Sequence, residues 1–410
     1  MAMTERLKKS TGNGYSRPVF TGNFAILQDF LLEKENIFWS VVRLFDFLLR
    51  GFSQVVLVNN PLSGLLIVIS LGCTAPSTLF FSAITGFLGL LISVLIRDVQ
   101  ENIINGLTVF NPLLIGAVSC MLIPKFYGPF DAFSILLMIL GTIISVYLAR
   151  SMRNIMSLYI AWPFNLTQFA LLFVLYTQDN GLNTLEELRP IIRMDNATSD
   201  ATTSDVSFIG GNITRDHIDW GMIFQGVIVS ASQVFAVESV VAGSVIYLAV
   251  LLSSPTTAGF AFFGALIGSL AGVMLGVPID EIYSGLWGYN TFLTAALLAG
   301  AHYILNGQTA AATVVAAICT VIVQYSLLFF FRNLKLPVIS LPFIMVSSLF
   351  LRLRNNLEDK TFPEALSICF PEEQQSDYLV RQRILIQQMD DPEEIEDNTK
   401  DEKNVTACNV

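Results

Sequence analysis

The stretch Gln54-Val-Val-Leu-Val-Asn-Asn-Pro-Leu-Ser-Gly64 decides the fold, because both of its end residues recur 179 positions later, as Gln233 and Gly243. The same offset maps Gly106-Leu107 onto Gly285-Leu286, and it holds without a gap from Gln54 through Phe164. This agreement indicates a duplication. Since both copies are strongly apolar, it predicts a membrane protein whose pathway lies between two repeats.

The composition also indicates a membrane protein. The 410-residue chain is 53% hydrophobic and 14% charged, with a mean hydropathy of +0.61, which is outside the range of soluble globular domains. Residues 178–219 and 351–410 carry most of the acidity, with eight and fourteen acidic residues. Because no basic face could neutralise phosphates, we expect no nucleic-acid partner. The apolar body predicts an all-α protein in contact with membrane lipid.

The sequence contains no set of residues for catalysis or metal binding. Its five cysteines form no Cys-x-x-Cys pair, and two histidines are too few for a metal site. Motifs for ATP binding, hydrolase nucleophiles, zinc proteases and EF-hands are also missing from the sequence. We therefore expect no enzyme activity, no cofactor and no metal.

Apolar runs predict about ten transmembrane helices in two inverted five-helix repeats. In the first repeat the runs lie at residues 55–72, 78–96, 107–124, 132–149 and 160–177. In the second repeat they lie at residues 234–252, 257–275, 286–305, 310–331 and 337–351. Because five helices per repeat is an odd number, the two copies should have opposite orientations in the membrane.

Several runs are short and interrupted. Some have only 15–18 residues, and Asn59-Asn60-Pro61 and Asn111-Pro112 break the first and third runs. A hydrocarbon core of about 30 Å needs roughly 20 helical residues. Broken helices leave backbone polar groups that lipid cannot satisfy, so these groups must face protein or a water-filled cavity. The breaks therefore predict short helices lining a central pore.

Charge and apolar runs divide the chain into five predicted segments. These are a cytoplasmic tail (1–23), a first repeat (24–177), an extracellular loop (178–219), a second repeat (220–351) and an acidic cytoplasmic tail (352–410). The basic N-terminus and Arg150/Arg153 indicate the cytoplasmic side. The glycosylation sequons at Asn196 and Asn212 would then lie outside.

Two segments outside the apolar runs have helical patterns. Residues 24–52 predict an amphipathic helix, which either lies on the membrane interface or packs on the bundle. The second tail is predicted to be mobile, with a short helix at Tyr378–Met389.

Charged side chains are rare inside the apolar runs. Glu238 is the exception, and it would lie either in the pore or at its mouth. Glu101 and Asp280, just before the Gly-Leu motifs, are either pore-mouth acids or helix caps. Coupled transporters bury ion-binding charges, and an ion without such charges meets a large desolvation barrier. The sequence therefore favours passive movement of a neutral polar solute.

Four motifs resemble those of the urea transporter family. They occur in order, within Gln54–Gly64, Gly106–Gly116, Asp280–Asn290 and Leu336–Phe343, and the resemblance covers about residues 24–350. The vertebrate-type layout, with cytoplasmic termini in the plasma membrane and a glycosylated central loop, is the most similar. The resemblance implies a passive, channel-like homotrimer for urea. In each pore, flat apolar side chains would enclose urea while oxygens accept its N–H groups.

The resemblance also implies which residues form the slot. Phe110 with Leu114, and Tyr289 with Leu293, match the family's paired slot side chains, and Ser340 keeps a hydroxyl oxygen. Three positions depart from the family pattern, since Leu57 replaces a phenylalanine, its repeat mate Ala236 is small, and Ala161 lacks a hydroxyl. The predicted substrate pathway comprises Gln54, Leu57, Phe110, Leu114, Ala161, Gln233, Ala236, Glu238, Tyr289, Leu293 and Ser340. The predicted structural pore motif comprises Asn59, Asn60, Pro61, Asn111 and Asn290.

Each assignment has a structural alternative. The amides of Gln54 and Gln233 could tie broken helices together, and the rings of Phe110 and Tyr289 could be bundle core. Asparagine caps and a hydroxyl bonded to a helix carbonyl would explain Asn111, Asn290 and Ser340. For the whole chain, the alternatives to a urea channel are a channel for another small neutral solute, such as ammonia, water or urea analogues, and a non-transporting membrane scaffold.

Overall fold

The computed structural model describes residues 22–34, 36–126, 128–153, 161–191, 218–332, 334, 336–354, 361–363 and 371–390. Within these ranges the chain forms helices and no strand, which confirms the prediction of an all-helical chain. Four of the described helices are long and apolar enough to cross a membrane. The sequons at Asn196 and Asn212 lie outside the described residues.

The helices of the first half from Ile37 onward recur in the second half, whereas the first helix, Ala25–Leu32, has no counterpart among the described residues, and Phe110–Phe126 corresponds to an α-helix followed by a π-helix. The first half comprises α1 (Ala25–Leu32), α2 (Ile37–Gln54), α3 (Pro61–Thr74), α4 (Pro76–Leu95), α5 (Gln100–Ile104), α6 (Phe110–Phe126), α7 (Ala132–Arg153) and α8 (Trp162–Ile191). The second half comprises α9 (Trp220–Gln233), α10 (Val240–Ser253), α11 (Pro255–Leu275), α12 (Ile279–Tyr283), α13 (Tyr289–Ala296), a π-helix (Leu297–His302), α14 (Gly307–Arg332) and α15 (Leu341–Phe350). Helix α16 (Pro371–Asp390) follows.

The helix bounds recur at the offset of the sequence repeat. Helices α3 and α10 both have 14 residues and begin 179 positions apart. Different residues cap their first turns, and both accept hydrogen bonds from backbone N–H groups. Asn60 accepts hydrogen bonds from the backbone N–H groups of Leu62 and Ser63, and Ser239 accepts one from Ala242. The cap therefore survives although Asn-Pro becomes Ser-Val in the second half.

The recurring glycines at Gly64 and Gly243 have a packing explanation. A Cβ atom on Gly64 would lie 1.9 Å from the carbonyl oxygen of Leu49, and one on Gly243 would lie 2.1 Å from that of Ile228. Leu49 and Ile228 are themselves repeat mates, related by the same offset. Close approach of backbone to backbone thus recurs in both halves, between α2 and α3 and between α9 and α10.

Some predicted boundaries are wrong. The first run was expected at 55–72, but residues 55–60 form a non-helical connection and the helix begins at Pro61. Residues in this connection are apolar because they lie in the core, where Val55, Val56 and Val58 are buried. The repeat-related pair α2 and α9, which ends at Gln54 and Gln233, lies outside the predicted runs. The fifth run was expected to end at residue 177, but α8 continues to Ile191. Hydropathy detects the end of an apolar run and not the end of a helix.

The segment 24–52 forms two helices instead of one. Helix α2 buries Asp46, Arg50 and Phe52 in its last turns and exposes Ile37 and Phe38 in its first turn. The second half of α2 therefore packs on the bundle, which was one of the two alternatives predicted for this segment.

The described part of the second tail contains α16, which includes the short helix predicted at Tyr378–Met389, and this part contacts the second half of the bundle. The carboxylate of Glu372 on α16 accepts hydrogen bonds from the Ser254 hydroxyl at 2.9 Å and from the Thr256 N–H at 2.9 Å. The Ile304 N–H donates to the carbonyl oxygen of Pro363 at 2.9 Å. An acidic side chain at the N-terminus of α11 is favourable for the helix dipole, so the tail is held against the second half.

Candidate functional site

Helices α2 and α9 end in the same type of turn. In α2 the Leu57 N–H donates to the Gln54 carbonyl and the Val58 N–H to the Ser53 carbonyl. The second half repeats both bonds at Ala236 and Val237. This pattern is the Schellman motif, which requires a left-handed residue after the helix. Leu57 and Ala236 occupy that position, with φ angles of 63° and 56°.

Left-handed backbone is uncommon for residues other than glycine. The two halves nevertheless keep side chains at both positions, and both side chains line one cavity. Backbone strain of this kind costs about 1–3 kcal/mol and is found mostly at functional sites. The turn therefore aims one side chain from each half into the same space.

The amides of Gln54 and Gln233 make equivalent hydrogen bonds. Gln54 Nε2 donates to the carbonyl oxygen of Asn105 at 3.0 Å, and Gln233 Nε2 donates to that of Ser284 at 2.7 Å. Both acceptors immediately precede a left-handed glycine, Gly106 or Gly285. The amides thus tie two helix ends to two turns, as the structural alternative required, and both also line the cavity.

The cavity has a volume of about 350 Å³ and lies between the two halves of the chain. The structure brings together around it all eleven residues of the predicted substrate pathway. They are Gln54, Leu57, Phe110, Leu114, Ala161, Gln233, Ala236, Glu238, Tyr289, Leu293 and Ser340. The predicted structural motif residues Asn59, Asn60, Pro61, Asn111 and Asn290 do not line it.

Apolar side chains form much of the wall. Phe110 and Leu114 lie one turn apart on α6, and Tyr289 and Leu293 lie one turn apart on α13, so each pair presents one face of its helix. Phe110, Leu114 and Leu293 are buried, at 4%, 7% and 5% exposure. The Tyr289 hydroxyl donates to the carbonyl oxygen of Ile339.

Polar atoms lie among these apolar groups. The Asn165 amide nitrogen donates to the Ser340 hydroxyl oxygen at 2.9 Å. Asn111 Oδ1 accepts from the Phe164 N–H at 3.2 Å, and Asn290 Nδ2 donates to Gln324 Oε1 at 3.0 Å. The two asparagines therefore join different segments of the bundle.

The acidic candidates occupy different places. Glu238 is exposed and lines the cavity, which puts it at the opening. Glu101 and Asp280 lie in the first turns of α5 and α12 and do not line the cavity. Their position suits helix N-termini. Glu281, which sequence reasoning missed, lines the cavity and accepts a hydrogen bond from Trp287 Nε1 at 3.0 Å.

Other lining residues also escaped the sequence analysis. They include Lys125, Phe164, Trp287, Gln324 and Phe343. A signal existed for Phe164 and Phe343, because Pro163-Phe164 and Pro342-Phe343 are related by the repeat. No comparable signal existed for Lys125 or Gln324, whose repeat mates are Ile304 and Ser145.

A second pocket adjoins the first and is much smaller. Its volume is about 10 Å³, and it shares Ala161 and Phe343 with the large cavity. Leu297, the repeat mate of Val118, contributes to its wall from the π-helix. This second pocket has room for about one water molecule.

The site suits a small, neutral polar molecule, because its charged lining residues Lys125 and Glu238 are exposed, Glu281 is half-buried, and the rest of the wall is apolar or neutral. Apolar walls favour a flat solute, and amide, hydroxyl and carbonyl oxygens can accept its N–H groups. Among the described residues no group of three His, Cys, Asp or Glu side chains could hold a metal ion.

Comparisons with known proteins point in the same direction. The sequence pattern that defines the urea transporter family matches residues 45–355. The chain is 25% identical to urea transporter 1 of Ovis aries over 392 residues, which cover 93% of each chain. It is 26% identical to urea transporter 1 of Rattus norvegicus over 320 residues, 76% of this chain and 78% of the relative.

Proposed function

The chain belongs to the urea transporter family, and on that premise we propose that it conducts urea passively through the cavity between its two halves. It is a transporter and not an enzyme. The observation that carries the proposal is that one cavity collects side chains from both copies of the repeat, including Phe110, Tyr289 and Ser340. Urea has four N–H donors and a flat shape, which a slot with apolar faces and oxygen-lined edges would accommodate.

We propose the finer architecture on the same basis. About ten transmembrane helices would form two inverted repeats, and the recurrence of helix bounds at the repeat offset supports this arrangement. The protein would be a glycosylated homotrimer in the plasma membrane with both termini in the cytoplasm. Asn196→Gln with Asn212→Gln should then abolish a glycosidase-sensitive gel shift. Antibody access to a terminal tag on intact cells would contradict this orientation.

Urea flux into reconstituted vesicles tests the function directly. We expect urea to equilibrate without accumulation, and flux should be unchanged when proton and sodium gradients are collapsed, because none of the charged residues that line the cavity, Lys125, Glu238 and Glu281, is buried. Accumulation against a urea gradient would exclude a passive mechanism. Absence of flux for any solute in folded protein would favour the scaffold alternative.

A broader solute range is a second candidate. Ala161 and Ala236 are small side chains in the wall, whereas a tight slot requires bulky ones. We expect the permeability ratio of thiourea to urea to be higher than in relatives with bulkier side chains at these positions. Parallel measurements of urea, thiourea, ammonia and water permeability would rank these solutes.

A further inference from the structure

Asn165 lies between the two repeat-related positions at which the pathway would offer a hydroxyl. Its Nδ2 donates to the carbonyl oxygen of Ala161 at 3.0 Å and to the hydroxyl oxygen of Ser340 at 2.9 Å. Ala161 and Ser340 are repeat mates, and both line the cavity. Asn165 is fully buried and does not line the cavity itself. It therefore connects the two halves from behind the wall.

The hydrogen-bond directions are fixed by chemistry. A carbonyl oxygen can only accept, so the amide nitrogen of Asn165, and not its oxygen, must face Ala161. Both N–H groups of the amide are then used, one on each partner. The Ser340 oxygen has two lone pairs and one proton. Because Asn165 occupies one lone pair of the Ser340 oxygen, this contact fixes the directions in which the remaining lone pair and the proton of Ser340 point.

The buried amide of Asn165 lowers the stability of the fold at this position. Its Oδ1 is buried and has no hydrogen-bond partner among the described residues. A buried polar atom without a partner costs about 1–3 kcal/mol. The repeat mate of Asn165 is Ile344, a buried apolar residue, so the equivalent place in the other half is filled without any amide. Packing alone therefore does not require an amide here.

We propose that Asn165 is a positioning residue of the pathway, which orients the Ser340 hydroxyl so that a free lone pair faces the solute. The inference rests on the proposed function. Since Ala161 has no hydroxyl, the pair of equivalent positions offers one side-chain oxygen, and its orientation matters more than it would in a complete pair. Asn165 thus contributes to the choice between urea and larger or poorer hydrogen-bond donors.

The chain contains a matched control one turn further along α8. Gln168 is also a fully buried amide, and its Nε2 donates to the hydroxyl of Ser119 at 3.1 Å. Neither Gln168 nor Ser119 lines the cavity. Gln168→Leu therefore removes an amide–hydroxyl contact of the same kind without touching the pathway.

The test is the thiourea-to-urea permeability ratio in proteoliposomes, measured per folded protein molecule. We expect Asn165→Leu to change this ratio by about threefold or more, as the loss of roughly one neutral hydrogen bond would. Gln168→Leu should leave the ratio at the wild-type value. If Asn165→Leu does not fold, Asn165→Ala removes the same two donors with a smaller side chain.

A double-variant cycle separates positioning from packing. In a Ser340→Ala background, Asn165→Leu should cause no further change in the ratio, because its target is gone. An equal change in both backgrounds, or an unchanged ratio in Asn165→Leu, would overturn the inference. If wild type and Gln168→Leu conduct urea in the same assay, an outcome that overturns the inference about Asn165 still leaves the proposed function intact. Loss of urea flux in wild type would instead refute the function itself.

Discussion

Gln54 and Gln233, which are repeat mates, hold the same hydrogen bond to the backbone of a repeat-related turn, at Asn105 and Ser284. Each amide thus belongs both to the wall of the cavity and to the frame behind it. Replacement by leucine should remove the tie without removing bulk. We expect Gln54→Leu and Gln233→Leu each to lower urea flux about two- to tenfold, the range that one neutral hydrogen bond supports. Stopped-flow light scattering of proteoliposomes measures this, and wild-type flux in both variants would contradict it.

Phe110 should act through its shape. Replacement by leucine exchanges a flat ring for a tetrahedral group in the wall. We expect Phe110→Leu to raise the thiourea-to-urea permeability ratio by about threefold, which corresponds to roughly 0.7 kcal/mol. Phe292→Leu is the control, because Phe292 is buried on α13 without lining the cavity. If both variants keep the wild-type ratio, Phe110 is bundle core.

The buried pair of Asp46 and Arg50 should stabilise the protein only as a pair. Arg50 Nε donates to Asp46 Oδ2 at 2.8 Å, and the guanidinium also donates to the Asn23 carbonyl and the Asn59 side chain. Removal of one charge from a buried pair costs about 3–5 kcal/mol, whereas replacement of both can be neutral.

The second half shows which residues could replace this pair. The repeat mates of Asp46 and Arg50 are Gln225 and Val229. We expect Arg50→Val alone to lower the thermal unfolding midpoint in detergent more than Asp46→Gln with Arg50→Val. A double variant that is less stable than the single one would show that the charges act separately.

The contact of α16 with the second half should also contribute to stability. Glu372→Gln keeps the size of the side chain but weakens its hydrogen bonds to Ser254 and Thr256. We expect a loss of about 1 kcal/mol in unfolding free energy, the usual value for a helix N-terminal cap. Glu373→Gln is the matched control, because Glu373 is an exposed neighbour on the same helix. Equal melting curves for the two variants would mean that the contact contributes nothing.

Part of the free energy of unfolding should depend on pH through the carboxyl group of Asp98. Burial raises the pKa of its carboxyl, but hydrogen bonds from Arg153 and the Val99 N–H and the charges of Arg153 and Arg150 outweigh burial, so the pKa lies below its usual value. A lowered folded-state pKa gives stability that is complete above the unfolded pKa of about 3.9 and is lost as pH falls through the folded value.

Asp98→Asn tests this linkage. The variant should be less stable than wild type at neutral pH, and the difference should shrink as the pH falls below about 3.9. Thermal unfolding at several pH values measures the difference. A gap of constant size between neutral and acidic pH would show that the Asp98 charge has no part in it.

The repeat was the most informative sequence feature, because it related positions without any knowledge of helices. It paired Gln54 with Gln233 and Leu57 with Ala236, and the structure brings all four to one cavity. Hydropathy was less informative about helix ends. It included the buried connection at residues 55–60 in a helix, because the core is apolar whatever its backbone conformation.

Other features had no local signal. A Schellman turn is usually recognised by its glycine, and here Leu57 and Ala236 take that place. Glu281 and Lys125 reach the cavity only because distant helices meet there. The docking of Glu372 on Ser254 joins residues 118 positions apart, which periodicity within one segment cannot detect.

The contacts between the halves have a consequence for synthesis of the protein. Ser63 donates to the Ala249 carbonyl and Trp162 to the Ser348 hydroxyl, and each pair is separated by 186 positions. Because such contacts close very long loops, they can form only after most of the chain has left the ribosome. The first half must therefore wait in the bilayer with polar groups that its counterpart will later satisfy. Substitutions along this seam should therefore reduce the yield of folded protein.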